Sequence, residues 1–214
     1  MNFLDRLNIA VFVSGRGSNF RAILEDIKSG QIQNAEIVVV ISNNVNAGAL
    51  SIARENSIPT TCLRREEFES SENFNEALLA TLHKHDVNFI CLAGYLKKID
   101  PIIIRSFPNR IVNIHPALLP EFGGGGMYGM RVHEAVIKSG VKRSGATVHI
   151  VNEEYDRGPI VLQRAIDVTP EDTPQSLATK VLAIEHELYP EAIRLFADNK
   201  VTIDNQNVVR FSFQ

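Results

Sequence analysis

Ile9-Ala10-Val11-Phe12-Val13-Ser14-Gly15-Arg16-Gly17-Ser18-Asn19 is the stretch in which the fold of this chain is decided. Five apolar residues run into a polar turn punctuated by two glycines, and the period then changes. Phe20, Ile23, Leu24 and Ile27 recur at helical spacing. A buried strand, a tight turn and an amphipathic helix, in that order, open a βαβ unit. Ser18 is placed to cap the helix, expected over residues 19–29, and Gly30 to end it.

The same alternation continues outward from there. Residues 36–42 read as a second strand, apolar enough to be covered on both faces, with a short helix over 48–55 and a third strand over 60–63. Phe74, Ala77, Leu78, Thr81, Leu82 and His85 form one helical stripe, which feeds another buried strand over 87–92. A helical turn starting at Pro101 precedes a strand over 111–114. The pattern then changes, because the strand-like runs 145–151 and 160–166 are joined only by a loop, which favours an antiparallel pair. Thr173 caps a last helix with Pro174 in its first turn, Pro190 is expected to break or kink it, and Asp204-Asn205-Gln206-Asn207 resembles the turn of a terminal hairpin. Gly123-Gly124-Gly125-Gly126 reads as a mobile loop, and no linker divides the chain. The expected fold is a single α/β domain with a mostly parallel central sheet, an antiparallel C-terminal part and helices on both faces.

With 214 residues, 44% of them hydrophobic and 22% charged, the chain can bury a full core. A net charge of -3 gives no global basic field, and Arg64-Arg65 and Lys97-Lys98 are too short to make a nucleic-acid stripe. Small-molecule ligands are expected, without nucleic acid or membrane, for a monomer or homodimer. Cys62 and Cys91 lie in strand-like runs and fit reduced, buried thiols. Asp5 and Arg6 stand where a signal peptide needs an apolar run, and no stretch has the length of a membrane span, so the cytoplasm is the expected compartment.

Directly after the first strand, Ser14 to Asn19 lets backbone wrap an anion at a helix N-terminus. The loop lacks the Lys-Ser/Thr ending of a triphosphate P-loop, and Phe20 stands where a dinucleotide fingerprint needs its third glycine. The second strand ends in Ser42-Asn43-Asn44, with no acidic residue for the ribose of NAD. A phosphate-bearing metabolite is therefore favoured over NAD or ATP.

A second polar constellation lies in Ile111 to Pro120 and is answered by Asn152 to Pro159. Strand side chains alternate, so Asn113 and His115 project to one face at the end of an otherwise apolar strand. With Asp156 as a partner, an amide donor, an imidazole and a carboxylate suit a site that stabilises charge developing on a carbonyl oxygen. Glu153-Glu154 reads as a solvated turn. His83, His85, His133, His149 and His186 default to solvated or structural roles, and no metal spacing is found.

Ser14-Gly-Arg-Gly-Ser-Asn19, Leu92-Ala-Gly-Tyr95, Asn113-Ile-His-Pro-Ala-Leu-Leu-Pro120, Ser144-Gly-Ala-Thr-Val-His149, Tyr155-Asp-Arg-Gly-Pro159 and Glu185-His186 follow one another in a joint order that resembles the phosphoribosylglycinamide formyltransferases over nearly the whole chain. The resemblance implies a Rossmann-like formyltransferase fold over residues 1–214. A phosphate-binding half would cover about 7–110, and a catalytic and folate-binding half about 111–214. It implies formyl transfer from 10-formyltetrahydrofolate as co-substrate, with no metal, to the amine of glycinamide ribonucleotide in de novo purine biosynthesis. It further implies that Asn113, His115 and Asp156 are catalytic, with His115 kept protonated by Asp156. Gly17, Ser18 and Asn19 would hold the phosphate and Glu185 the ribose. Tyr95, Leu96, Lys97, Lys98 and Ile99, together with Asn152, Glu153, Glu154 and Tyr155, would flank the folate. The glycine run and residues 127–130 would form a flexible loop near the site.

The chain departs from the family pattern at Ser71, where many relatives carry a folate-contacting arginine, which Arg64 or Arg65 would replace. Lys97-Lys98 and Met130 are further departures. A methionyl-tRNA formyltransferase is expected to add a C-terminal domain and a formyltetrahydrofolate deformylase an N-terminal one, neither of which fits this length. A metabolite sensor has no need of the trio, and the missing third glycine weighs against a NAD-dependent oxidoreductase.

Overall fold

The protein is described by a computed structural model over residues 6–204, 206 and 208–212. Five parallel strands, β1 (Leu7–Val13), β2 (Ala35–Ser42), β3 (Thr60–Cys62), β4 (Phe89–Leu92) and β5 (Ile111–His115), are extended by antiparallel β6 (Arg143–Ile150) and β7 (Ile160–Asp167). Their order is β3-β2-β1-β4-β5-β6-β7. The chain winds from β1 to β3 in one direction and resumes at β4 on the other side of β1. The loops leaving β1 and β4 therefore diverge and open a crevice at the carboxyl ends of the strands.

β1 shows why its sequence is apolar without interruption. Ile9, Val11 and Val13 enter one core layer while Ala10 and Phe12 enter the other. Helices α1 (Ser18–Lys28), α2 (Gly48–Glu55), α5 (Met130–Ser139) and α6 (Pro174–Ala197) cover the first face, and α3 (Ser71–Lys84) and α4 (Pro101–Ser106) the second. Each fully buried large side chain, such as Phe12 or Phe20, contributes roughly 2–3 kcal/mol of transfer free energy. Tyr189, buried in α6, shares its hydroxyl proton between the carbonyls of Leu92 and Val112 at 3.1 Å each. That bond fixes α6 beneath the ends of β4 and β5, where the crevice opens.

The expected elements are present, with several corrections. Ser18 does not cap α1 but is its first residue. The cap is Gly17, at φ 82° and without a side-chain bond, because a Cβ there would lie 2.6 Å from the Ala49 Cβ. α6 runs through Pro190 unbroken, losing only the N–H that would reach the His186 carbonyl. Thr173 and Ser176 form a reciprocal cap at its start. Cys91 is buried, whereas Cys62, on the short edge strand β3, is only half-buried. Met130 is not loop but the first residue of α5, a helix the sequence reading passed over. β8 (Val201–Ile203) and β9 (Val209–Phe211) make the terminal hairpin, though Asn205 and Asn207 of its turn lie outside the described residues. Among the described residues no helix is long and apolar enough to cross a membrane.

Candidate active site

Ser14, the first residue past β1, ties three loops together. Its hydroxyl donates to Asn43 Oδ1 at 2.6 Å and accepts from the Leu96 N–H at 3.0 Å, while its carbonyl accepts from Asn44 Nδ2 at 3.1 Å. The loops after β1, β2 and β4 are thereby locked around a cavity of about 610 Å³. Ser18 and Asn19 line it, and Gly17 does not, since it packs on Ala49. Asn19 donates to Glu185 Oε2 at 2.6 Å, joining the start of α1 to α6. Burial pushes the Glu185 carboxyl up to about 7, with the Asn19 bond working against it.

Asn113 and His115 leave β5 on the same face, as strand alternation requires, and both line the cavity. Asp156 arrives from the far end of β6. Gly158 lets the turn close there, because a Cβ would run into the Ile150 carbonyl, and the Ile150 N–H donates to the Pro159 carbonyl at 2.8 Å. Asp156 itself is left-handed at φ 53°, a conformation aspartate tolerates better than most residues. Its Oδ2 stands 3.7 Å from His115 Nδ1 and accepts the Gly124 N–H at 2.8 Å, and its Oδ1 stands 3.5 Å from His149 Nε2. The three predicted residues are thus brought together.

His149, set aside from sequence, belongs with them. Its Nδ1 donates to the Ile150 carbonyl at 2.9 Å, so in the neutral ring Nε2 accepts from Asn113 Nδ2 at 3.1 Å, a shorter contact than the one to Asp156. One amide proton of Asn113 is held by His149 and the other is left for the cavity. Alternation along β6 gives His149 a face but no partner, and it is the antiparallel register with β5 that pairs it directly with Asn113. Thr147, two residues earlier on the same strand, donates to the Ala117 carbonyl at 2.6 Å and accepts from the Leu119 N–H at 3.1 Å, which shapes the turn after β5.

One expectation about charge is reversed. Burial lowers the pKa of His115 by more than Asp156 and the Phe122 carbonyl raise it, so the ring is not held protonated. Its proton sits on Nε2, which donates to the Phe122 carbonyl at 2.8 Å. Burial works to raise the Asp156 carboxyl, but its neighbours His149 and His115 and the Gly124 N–H bring it below the ordinary range.

Tyr95, Leu96, Lys97, Lys98, Ile99, Asn152, Glu154 and Tyr155 all line the cavity. Glu153 does not, being turned away to Arg105 at 2.8 Å. Lys98 Nζ lies 5.2 Å from the centre of the Tyr155 ring, bridging the two predicted walls. A second cavity of about 350 Å³ shares Tyr95 and residues 97–99 with the first and is lined by Arg65 and Ser71. Arg65 donates to Ser71 Oγ at 2.9 Å and to the Phe68 carbonyl at 3.1 Å, whereas Arg64 is paired with Glu67.

The family model described as formyl transferase matches residues 7–193. The chloroplastic phosphoribosylglycinamide formyltransferase of Arabidopsis thaliana is 45% identical over 92% of this chain and 67% of its own length, and that of Vigna unguiculata is 44% identical over 92% and 62%. The chain therefore spans about two thirds of these relatives. The solved structure of glycinamide ribonucleotide transformylase 1 from Symbiobacterium toebii superposes with a TM-score of 0.90 at 38% identity, covering 98% of this chain and 95% of that one. This chain belongs to the formyl transferase family and, within it, to the phosphoribosylglycinamide formyltransferases.

Proposed function

We propose that the protein transfers the formyl group of 10-formyltetrahydrofolate to the amine of 5'-phosphoribosylglycinamide, a step of de novo purine biosynthesis, and that it does so as one domain. The observation that carries this reading is the convergence of Asn113, His115 and Asp156 in the cavity that the Ser14–Asn19 loop also lines. The ribonucleotide phosphate takes the backbone N–H groups at the start of α1, and ribose hydroxyls donate to Glu185. The pterin of the folate lies between residues 95–99 and 152–155, and its acidic tail runs to Arg65 in the second cavity.

The amine attacks the formyl carbon, and the carbonyl oxygen takes the negative charge. Asn113, oriented by His149, donates its free amide proton to that oxygen. His115 enters neutral with Nδ1 unprotonated, and the proton released by the attacking nitrogen passes to Nδ1. Asp156 offsets the charge so formed. When the carbonyl re-forms and the bond to the folate nitrogen breaks, the same proton moves to the departing nitrogen.

Incubation with glycinamide ribonucleotide and the formylfolate, followed by mass analysis of the nucleotide, tests the reading. A gain of one formyl group per ribonucleotide is expected. Formate released at the same rate without ribonucleotide would instead assign a deformylase.

A further inference from the structure

His133 is unused by the mechanism above, yet it is 5% exposed and lines the same cavity wall as His115 and Glu185. It sits on α5 beside Val132, and neither ring nitrogen has a hydrogen-bond partner among the described residues. Nδ1 is sealed from solvent, so the ring meets the cavity through the edge that carries Nε2. A sealed N–H without an acceptor costs more than a sealed lone pair without a donor, which places the single proton of the neutral ring on Nε2. Burial first, and then the nearby His115, lower its pKa and favour the neutral ring. A neutral N–H donor is thus presented to the cavity with nothing among the described residues to receive it.

We propose that His133 is a substrate-binding residue whose Nε2–H donates to the amide carbonyl oxygen of the acceptor's glycinamide group, setting the amine against Asn113 and His115. The inference rests on the proposed function. With the sugar held at Asn19 and Glu185 and the amine beside His115, the one oxygen on the stretch between them is that carbonyl. A donor on the wall shared by both ends is where such an oxygen needs one. The interaction makes His133 a determinant of acceptor specificity without contact to the formyl donor.

Steady-state kinetics of His133→Phe and His133→Gln, with unfolding temperatures of both, test this. His133→Phe keeps the ring volume and loses the donor. It should raise KM for the ribonucleotide about tenfold, the loss expected for one hydrogen bond, with KM for the formylfolate and the unfolding temperature unchanged. His133→Gln, whose amide N–H reaches close to the position of Nε2, should recover most of the affinity. Unchanged kinetics in His133→Phe, or equal rises in both KM values with loss of thermal stability and no rescue by Gln, would overturn the assignment. A wild-type protein that forms no formylated ribonucleotide would defeat the proposed function first, before any variant is compared.

Discussion

Glu185 offers a perturbation whose size can be worked from the structure. Its carboxyl is 8% exposed and held at about 7, against an ordinary value of 4.5 that the unfolded chain retains. Between those values the folded protein binds a proton that the unfolded chain has released, so stability falls as pH rises from 4.5 to about 7 and levels off above. The difference corresponds to roughly 3 kcal/mol in full. Glu185→Gln removes the titration while its carbonyl still accepts from Asn19. Urea unfolding of both proteins at steps from pH 5 to pH 8 should show the variant gaining on the wild type by roughly 2–3 kcal/mol across that range. Parallel stability curves would refute the reasoning, because they would mean that the carboxyl titrates alike in both states. The same residue has an opposite effect on binding. The ionised carboxylate is the form that accepts ribose hydroxyls, so wild-type affinity for the ribonucleotide should decline as pH falls from 8 to 6.5, and the variant should bind weakly with less dependence on pH.

Four further outcomes follow from the geometry. His115→Ala and Asp156→Asn should each lower kcat by about 10²-fold or more with circular dichroism unchanged, and near-normal rates in both would remove them from the mechanism. His149→Phe should lower kcat by roughly 10-fold with little change in either KM, since it frees the Asn113 amide to rotate, and a purely structural role would appear instead as lost thermal stability. Arg65→Ala should raise KM for the formylfolate several-fold while Arg64→Ala leaves it alone, because Arg65 lines the second cavity and Arg64 is spent on Glu67; equal effects would disprove the distinction. Thr147→Val should cost about 1–3 kcal/mol in denaturant unfolding, as it strands the buried Leu119 N–H and Ala117 carbonyl.

The sequence by itself determined the order of the strands and of every α-helix except α5, because buried parallel strands must be apolar on both faces and their helices on one. It also determined that Asn113 and His115 share a face, since that follows from strand alternation alone. The pairing of Asp156 with them was nameable through the joint order of the motifs, not through periodicity. α5 escaped because the glycine run before Met130 disguised its start, although Val132, His133 and Val136 carry helical spacing and Gly140 at φ 70° ends it. Tertiary structure alone decided the rest. Only the antiparallel register of β5 and β6 sets His149 against Asn113, and only the depth of His115 in the cavity makes burial outweigh the carboxylate beside it. Glu153 and Glu154 are neighbours of one type, yet Arg105 turns the first away from the cavity and the second lines it. Charge state and side-chain direction depend on which atoms lie within a few ångströms, and the residues that supply those atoms come from distant parts of the chain.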